Sequence, residues 1–136
     1  MEKTLVIIKP DGVKRGLMGE IISRYEKKGF KILDAKLIKA DRKTLEEHYA
    51  EHKGKDYFEK LVAYMMEGPV MVMIIEGENV VEVIRNMNGH KDPKKALPGT
   101  IRGDYANSVT KNIVHASDSI KAAEREINIW FKEKFK

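Results

Sequence analysis

His115 has the sequence setting that a nucleophile would need. It follows the apolar pair Ile113-Val114 at the end of a predicted short strand and precedes Ser117 and Asp118, so we expect it at a strand end just before a helix N-terminus. Such a place stabilises anions. Glu126 lies on the adjacent flank of the helix that follows, and a carboxylate bonded to one imidazole nitrogen leaves the other free as a nucleophile. A lone histidine is more often structural, so both interpretations stay open on these residues alone.

Positive charge is concentrated in two places that could bind phosphate. Lys9 directly follows a buried apolar run and precedes a Pro-Asp-Gly turn, which holds its ammonium at the end of the predicted sheet. The interval 88–111 has no convincing periodicity, and loops of this length inside compact domains are often functional. Its basic residues are His90, Lys91, Lys94, Lys95, Arg102 and Lys111. Phosphate binding and simple solvation are both compatible with this composition.

Several other chemistries are excluded or unsupported by the sequence. The chain has no cysteine, which excludes disulfides, thiolate metal sites and a cysteine nucleophile. It has neither the G-x-x-x-x-G-K-[ST] nor the G-x-G-x-x-G phosphate-binding pattern, no G-x-S-x-G nucleophile elbow, and no metal-binding spacing of histidines. Any phosphate site is therefore of another kind.

Length and composition predict one soluble, globular domain over residues 1–136. Hydrophobic residues make up 42% and charged residues 35% of the chain, enough apolar material for a core. No targeting or membrane-spanning segment is visible, so we expect a cytoplasmic protein with no membrane partner. The net charge of +5 favours polyanionic partners, and nonspecific nucleic-acid binding is one of them.

Hydrophobic periodicity predicts the elements that would position these residues. Continuous apolar runs at 5–8 and 70–75 indicate strands buried on both faces, and near alternation over 30–38 indicates a less buried strand. Helices are predicted over 17–28, over 43–66 with breaks near 53–55, from a cap at Asn79 to Met87, and from 118 or 119 to about 132. A short strand is expected over 112–115. In the last helix the core-facing residues are predicted to be Ile120, Ala123, Ile127, Trp130 and Phe131.

The order of these elements predicts the fold class. Strand, helix, strand, helices, strand, helix, strand, helix matches an α/β (α+β) ferredoxin-like βαββαβ sandwich. Its sheet has four antiparallel strands, and the chain adds further helices to it.

Three segments together resemble the nucleoside diphosphate kinase family. They are Thr4-Leu5-Val6-Ile7-Ile8-Lys9-Pro10-Asp11-Gly12-Val13, Pro98-Gly99-Thr100-Ile101-Arg102-Gly103-Asp104 and Asn112-Ile113-Val114-His115-Ala116-Ser117-Asp118-Ser119. The resemblance covers nearly the whole chain, in register and with the family's spacing.

The resemblance implies a ping-pong transfer of the γ-phosphoryl group of a nucleoside triphosphate to a nucleoside diphosphate. His115 is implied to be the phosphorylated nucleophile, with Ser117, Glu126 and Lys9 also catalytic. The residues implied to bind the nucleotide are Lys9, Tyr49, Tyr57, Arg85, Lys91, Arg102 and Asn112. Tyr57 stands where the family has a base-stacking phenylalanine. Mg²⁺ is the implied cofactor, carried on the nucleotide phosphates rather than in a metal site of the protein. A homo-oligomer is also implied, and a hexamer is favoured over a tetramer.

Some positions depart from the family pattern. Lys91 replaces a phosphate-contacting threonine, Ala116 a frequent glycine, and Asp56 a common proline. We expect these changes to retune the enzyme without inactivating it.

Two other functions are alternatives to the enzyme. A basic ferredoxin-like domain could instead bind RNA, since the segment 28–32 resembles the start of an RNA-contact motif, but later aromatic positions are missing. A catalytically dead relative is the third reading, and the intact set of polar residues argues against it.

Overall fold

Four strands form one antiparallel sheet in the computed structural model, which describes residues 1–132. In chain order they are β1 (Glu2–Ile8), β2 (Lys31–Ile38), β3 (Val70–Gly77) and β4 (Val114–Ala116). Across the sheet the order is β2-β3-β1-β4, and each neighbouring pair is antiparallel. This order confirms the predicted ferredoxin-like sheet.

Seven α-helices and one short 3₁₀ helix are assigned within the described residues. The α-helices are α1 (Pro10–Lys14), α2 (Met18–Lys27), α3 (Arg42–His48), α4 (Phe58–Met65), α5 (Val80–Asn88), α6 (Ile101–Tyr105) and α7 (Ile120–Trp130), and the 3₁₀ helix is Ala50–His52. None of the helices in residues 1–132 is both long and apolar enough to cross a membrane.

Strand β1 divides the core into two halves, as its continuous apolar run predicted. Successive side chains of a strand point to opposite faces, so Leu5 and Ile7 pack on one face of the sheet and Val6 and Ile8 on the other. All four are fully buried. A strand of this kind needs helices on both sides.

Different helices cover the two faces. Helices α2 and α5 cover the face of Val6 and Ile8, where Ile21 and Ile84 are fully buried. These are the two helices that the βαββαβ pattern requires. Helices α3, α4 and α7 bury the opposite face. The additional helices therefore form a second layer, which packs on the face of the sheet that carries Leu5 and Ile7.

The structure corrects two helix predictions. Asn79 precedes α5 in the left-handed region, with φ at 53°, and its side chain does not cap the helix. Instead the Glu2 carboxylate accepts the Val81 N–H at 3.3 Å from the neighbouring strand. Ile120 is 53% exposed and does not belong to the core stripe of α7, although Ala123, Ile127, Trp130 and Phe131 are buried as predicted. The Ser119 hydroxyl caps α7 by accepting the Ala122 N–H at 3.0 Å.

The predicted loop 88–111 contains a helix that periodicity did not reveal. Helix α6 is only five residues long, too short for a periodic signal, and the Thr100 hydroxyl caps it by accepting the Gly103 N–H. A Cβ at Gly103 would lie 1.9 Å from the Leu97 carbonyl oxygen, so glycine is required there. Strand β4 likewise begins at Val114, two residues later than predicted.

Candidate active site

The register of the β1–β4 pair decides which face of the sheet carries His115. His115 is paired with Ile7, and directly opposed residues on adjacent strands project from the same face. Ile7 belongs to the half of the core covered by α3 and α7. The imidazole therefore points towards those two helices, while Val114 and Ala116 pack into the other half.

Glu126 on α7 meets His115 there. The His115 Nε2 lies 2.8 Å from Glu126 Oε1, and the same oxygen accepts the Ser117 hydroxyl at 2.8 Å. Ser117 is itself held by β1, since its Oγ accepts the Leu5 N–H at 3.3 Å. Glu126 and Ser117 are buried, and the His115 side chain keeps 23% of its exposure. The predicted histidine–carboxylate contact is therefore present.

The charge state of Glu126 sets the tautomer of His115. Burial alone would raise the pKa of the Glu126 carboxyl. The hydrogen bond from His115, the positive charge that His115 can carry, and the hydrogen bond from the Ser117 hydroxyl outweigh burial and lower that pKa. An ionised carboxylate can only accept, so Nε2 of His115 carries the proton. Nδ1 is left with the lone pair that a nucleophile needs.

Residues 112–114, directly before His115, form a strained turn. Ile113 has a φ of 77°, and the Val114 N–H donates to the Asn112 carbonyl at 2.9 Å across it. This is a γ-turn with a positive central φ, a rare arrangement that is costly for a β-branched residue. The turn is held by the Lys9 N–H, which donates to the Ile113 carbonyl at 2.7 Å. Strain of this kind is concentrated at functional sites.

Lys9 and Asn112 form a fixed polar pair beside His115. The Lys9 ammonium donates to Asn112 Oδ1 at 2.8 Å, while Asn112 Nδ2 donates to the carbonyls of Val109 and Lys91 at 2.9 and 3.3 Å. Burial lowers the pKa of Lys9 to about 8, and the charge of Arg102 acts in the same direction. An anion in the site would raise that pKa again, since it favours the charged form.

Two arginines, Arg85 and Arg102, join Lys9 to form the cationic wall of the site. Arg102 donates to the carbonyls of Asn112, Gly89 and Val114 at 3.2, 2.7 and 2.5 Å, so it ties α6 and the long loop to β4. Burial lowers the pKa of Arg102 to about 10, with the charge of Arg85 adding to the effect. Its guanidinium remains charged at neutral pH. Arg85 on α5 donates to the Ala116 carbonyl at 3.3 Å.

Aromatic side chains form the opposite wall. Tyr49 follows α3 directly, and burial, with the Glu126 charge, raises its pKa. Tyr57 is 45% exposed, and its hydroxyl lies 2.7 Å from His52 Nδ1. Rings of Tyr49, His52 and Tyr57 pack edge to face in sequence, with centroids 6.0 and 5.4 Å apart. The ring face of Tyr57 is thus accessible at one end of the wall.

These groups line a single cavity of about 820 Å³. Of the residues predicted for the site, those that line it are Lys9, Tyr49, Tyr57, Arg85, Lys91, Arg102, Asn112, His115 and Glu126. Ser117 lies behind Glu126 and is fully buried. Lys91 is exposed, and its backbone rather than its side chain makes the contact with Asn112. A volume of this size suits a nucleotide-sized ligand.

Sequence reasoning missed His48, which lies next to His115. His48 is buried, its ring centroid is 4.7 Å from that of His115, and its Nδ1 accepts the indole N–H of Trp130 at 3.1 Å. Burial, with the charge of His115, lowers the pKa of His48 to about 3, so the ring is neutral. His48 lies inside the helix predicted over 43–66, and nothing beside it in the sequence marks it as part of a site. The signal that could have found it is Trp130, four residues after Glu126 and so on the same face of α7.

His48, His115 and Glu126 could in principle hold a metal ion, since one ligand atom of each lies within 4.8 Å of the others. The Trp130 bond argues against this use. An indole N–H only donates, so Nδ1 of His48 is already occupied and Nε2 carries the proton. Neither nitrogen offers a free lone pair, and the three groups fit a hydrogen-bonded cluster better than a metal centre.

Comparison with known proteins gives a consistent result. The family model described as nucleoside diphosphate kinase matches residues 2–135. A nucleoside diphosphate kinase of Saccharolobus solfataricus is 60% identical over 130 residues, covering 96% of this chain and 94% of that protein. One from Thermoanaerobacter sp. is 57% identical, with 98% of both chains covered. The nucleoside diphosphate kinase of Halobacterium salinarum, whose structure in complex with CDP has been solved, is 44% identical. The two structures match with a TM-score of 0.94 over 98% of this chain and 89% of that one.

Proposed function

The chain belongs to the nucleoside diphosphate kinase family, and we propose that His115 is the residue that carries the phosphoryl group in its reaction. The enzyme is a phosphotransferase that moves the γ-phosphoryl group of a nucleoside triphosphate to a nucleoside diphosphate. The observation that carries the assignment is the 2.8 Å contact from His115 Nε2 to Glu126, which leaves Nδ1 as the lone-pair nitrogen in a cationic cavity.

In the first half-reaction the Nδ1 lone pair attacks the γ-phosphorus. A P–N bond forms, the bond from that phosphorus to the bridging oxygen breaks, and its electron pair leaves with the nucleoside diphosphate. Nε2 keeps its proton throughout, and the ionised Glu126 stabilises the positive charge that develops on the ring. A second diphosphate then attacks the phosphorus with a terminal oxygen, and the electron pair returns to Nδ1.

The cations of the cavity neutralise the charge of the phosphoryl oxygens, which is most of what phosphoryl transfer requires of a protein. We assign Lys9, Arg85, Arg102 and Lys91 to the phosphates, and Tyr49 and Asn112 to the phosphates and sugar. Arg102 already spends three donors on backbone carbonyls. It therefore contributes its charge and its remaining N–H groups from a rigid position.

Mg²⁺ is the cofactor that we infer, held by the nucleotide phosphates. The carboxylates among the described residues lining the cavity are Asp118 and Glu126, and Glu126 is committed to His115 and Ser117. Asp118 is exposed and could reach the ion through water. One carboxylate plus phosphates is a donor set that suits Mg²⁺. When bound, the ion would neutralise charge on the phosphate oxygens.

Base recognition is proposed to rest on stacking against Tyr57. Its ring is accessible at one end of the cavity, and every base has a π-face, so we expect low selectivity among bases. The relative from Halobacterium salinarum binds CDP, a pyrimidine nucleotide. Comparison of kcat/KM for ADP, GDP, CDP and UDP checks this, and use of adenine nucleotides alone would contradict it.

Intact-protein mass spectrometry after brief mixing with Mg-ATP tests the function itself. The wild type should gain one phosphoryl mass and lose it when GDP is added. His115→Ala should gain none, whereas His90→Ala, a second histidine of the cavity lining, should behave as the wild type. Absence of a mass gain in the wild type under acid-free handling would refute the phosphohistidine.

A homo-oligomer is proposed from the free edge of the sheet. Strand β2 is an edge strand, and Leu33 and Leu37 on it are 40% and 51% exposed. Antiparallel pairing of two copies about Ala35 would place Leu33 opposite Leu37 of the partner subunit and Asp34 opposite its Lys36. Exposed edges of this kind readily pair. We expect this dimer to be the unit of a hexamer rather than a tetramer.

Analytical ultracentrifugation of Leu37→Lys beside Leu97→Lys tests the edge. Leu97 is also exposed but lies in the loop before α6. Only the first variant should lower the sedimenting mass, and equal masses for both would exclude the β2 edge.

The remaining features of the proposal concern the setting of the enzyme. We propose a single domain over residues 1–136, a cytoplasmic location and a phosphoprotein intermediate at His115. Nonspecific nucleic-acid binding is a secondary proposal based on the net charge of +5. It would show as binding that falls steeply with salt.

A further inference from the structure

Arg125 joins α7, which carries Glu126, to the last turn of α3, and we propose that it is a positioning residue for phosphoryl transfer. Its Nη1 donates to the Glu47 carbonyl at 3.0 Å, and its Nη2 donates to the His48 carbonyl at 3.2 Å. The last carbonyls of a helix lack the N–H groups of a next turn. One guanidinium fork therefore caps the C-terminal end of α3.

The same guanidinium lies beside the catalytic carboxylate. Its Nη2 is 3.9 Å from Glu126 Oε2, while Oε1 of Glu126 is bonded to His115 and Ser117. Arg125 is thus next to the carboxylate oxygen that His115 does not use. Its charge also lies close enough to His48 to help keep that ring neutral, although burial is the main cause of the lowered His48 pKa.

Helix α7 holds His48 at two points. Arg125 binds its backbone carbonyl, and the Trp130 indole N–H binds its Nδ1 at 3.1 Å. The His48 ring in turn packs edge to face against His115 and Tyr49, with both centroids 4.7 Å away. The nucleophile and the first residue of the aromatic wall are therefore placed against one anchored ring.

These contacts fix the distance between the His115–Glu126 pair and the aromatic wall that begins at Tyr49. Tyr49 follows His48 directly in the chain and lines the cavity, whereas Arg125 does not. Arg125 therefore acts through the residues it holds. This inference rests on the proposed roles of His115 and Tyr49, and it adds that the wall on which the nucleotide lies is aligned by a residue outside the cavity.

Steady-state kinetics of Arg125→Gln beside Lys132→Gln test the inference. Lys132, which follows α7, is the matched control because its ammonium bonds the Glu47 carboxylate at 3.1 Å and so contacts the end of α3 without capping its carbonyls. Arg125→Gln removes both hydrogen bonds of the guanidinium fork. It should lower kcat/KM about tenfold, mainly through a higher KM; this is the low end of what charge-assisted bonds contribute, because Arg125 is partly exposed. Lys132→Gln should stay within about twofold of the wild type, since exposed ion pairs contribute little. Equal kinetics for the two variants would overturn the proposal.

A double-mutant cycle with Tyr49→Phe separates positioning from general stability. If Arg125 acts through Tyr49, the loss in Arg125→Gln/Tyr49→Phe should be clearly smaller than the product of the two single losses. Losses that simply multiply would contradict the coupling. Arg125→Lys provides the test if the glutamine variant does not fold. An ammonium cannot donate to both carbonyls as a fixed fork, so about a threefold loss is expected, and wild-type kinetics would refute the role of the fork.

Failure of this inference can be told apart from failure of the proposed function. Each variant is also mixed with Mg-ATP at a concentration well below the wild-type KM, and its phosphoryl mass gain is followed in time. Full but slower phosphorylation of Arg125→Gln is the expected result. A wild type that gains no mass would remove the proposed function itself, whereas a wild type and an Arg125→Gln variant that gain mass at equal rates would remove only the positioning role.

Discussion

Ser117→Ala is expected to destabilise the protein more than its small volume change would indicate. The Ser117 hydroxyl donates to the buried Glu126 carboxylate at 2.8 Å and accepts the buried Leu5 N–H at 3.3 Å. Alanine removes a hydrogen bond to a charged group, which contributes about 1.5–3 kcal/mol, and leaves the Leu5 N–H unpaired at a cost of about 1–3 kcal/mol. Because the two effects overlap, we expect a loss of about 3 kcal/mol.

The assay is unfolding followed by circular dichroism at one fixed protein concentration, since assembly would make the melting temperature depend on concentration. For a chain of this size a loss of about 3 kcal/mol corresponds to a fall in Tm of about 10 °C. Ser119→Ala is the matched control. Its hydroxyl caps α7 with one exposed contact and does not touch Glu126, so a loss of about 1 kcal/mol is expected.

The pH dependence of the Ser117→Ala effect has a defined sign. The folded-state pKa of Glu126 lies below its ordinary value of 4.5, so the carboxylate contributes stability that is present above that value and lost as the pH falls through the folded pKa. Without the Ser117 hydroxyl the folded pKa is higher. The variant should therefore lose this contribution at higher pH than the wild type, and the difference in stability should shrink in acid. A penalty equal to that of Ser119→Ala, or one that does not change between neutral and acidic pH, would refute this reasoning.

Three further predictions concern the cavity. Because the pKa of Lys9 is lowered to about 8, kcat/KM should decline as the pH rises through about 8. The decline of kcat should occur only at higher pH, because bound phosphate favours the charged form of Lys9. Lys9→Met should remove this alkaline decline, and an unchanged pH profile in that variant would assign the decline to another group. Tyr57→Ala should raise the KM of every nucleoside diphosphate by about tenfold with little change in kcat, since one stacking contact contributes about 1–3 kcal/mol. The control variant Tyr57→Phe should have a KM close to that of the wild type. A rise in KM confined to purine nucleotides would contradict base-independent stacking. Lys91→Thr should raise the KM for ADP by only about two- to fivefold, because an exposed cation is well screened by salt. The KM of this variant should also depend less on salt concentration than that of the wild type. A lower kcat instead would show that Lys91 takes part in the chemical step.

Much of the site follows from local sequence patterns. The alternation rule applied to residues 5–8 predicts a strand buried on both faces, and Leu5 to Ile8 occupy both halves of the core. The spacing of His115 and Glu126 across a strand end and the next helix predicts their contact, and the two side chains are 2.8 Å apart. These features depend on short-range geometry, which residue order already contains.

Other predictions from local pattern were wrong because tertiary contacts changed the outcome. A cap by the Asn79 side chain is the normal expectation before a helix, but Glu2 on a neighbouring strand takes the free N–H. Ile120 lies on the apolar arc of α7, yet it is the first residue of that helix and remains 53% exposed. Helix α6 begins at the Thr100 cap, is tied to its surroundings by Arg102, and buries only Ile101 in the core, which is too little apolar sequence for a periodic signal.

By itself, the sequence determined the order of elements, the two-faced central strand, the family and the cluster of polar residues around His115. Only the tertiary structure decided that Ile113 is held in a strained turn, that His48 is neutral beside His115, and that Arg125 caps the end of α3 next to Glu126. Each of these depends on groups that are distant in the chain, such as Trp130 and His48, whose separation along the sequence carries no periodic signal. Packing brings them together, and burial then changes their charge state.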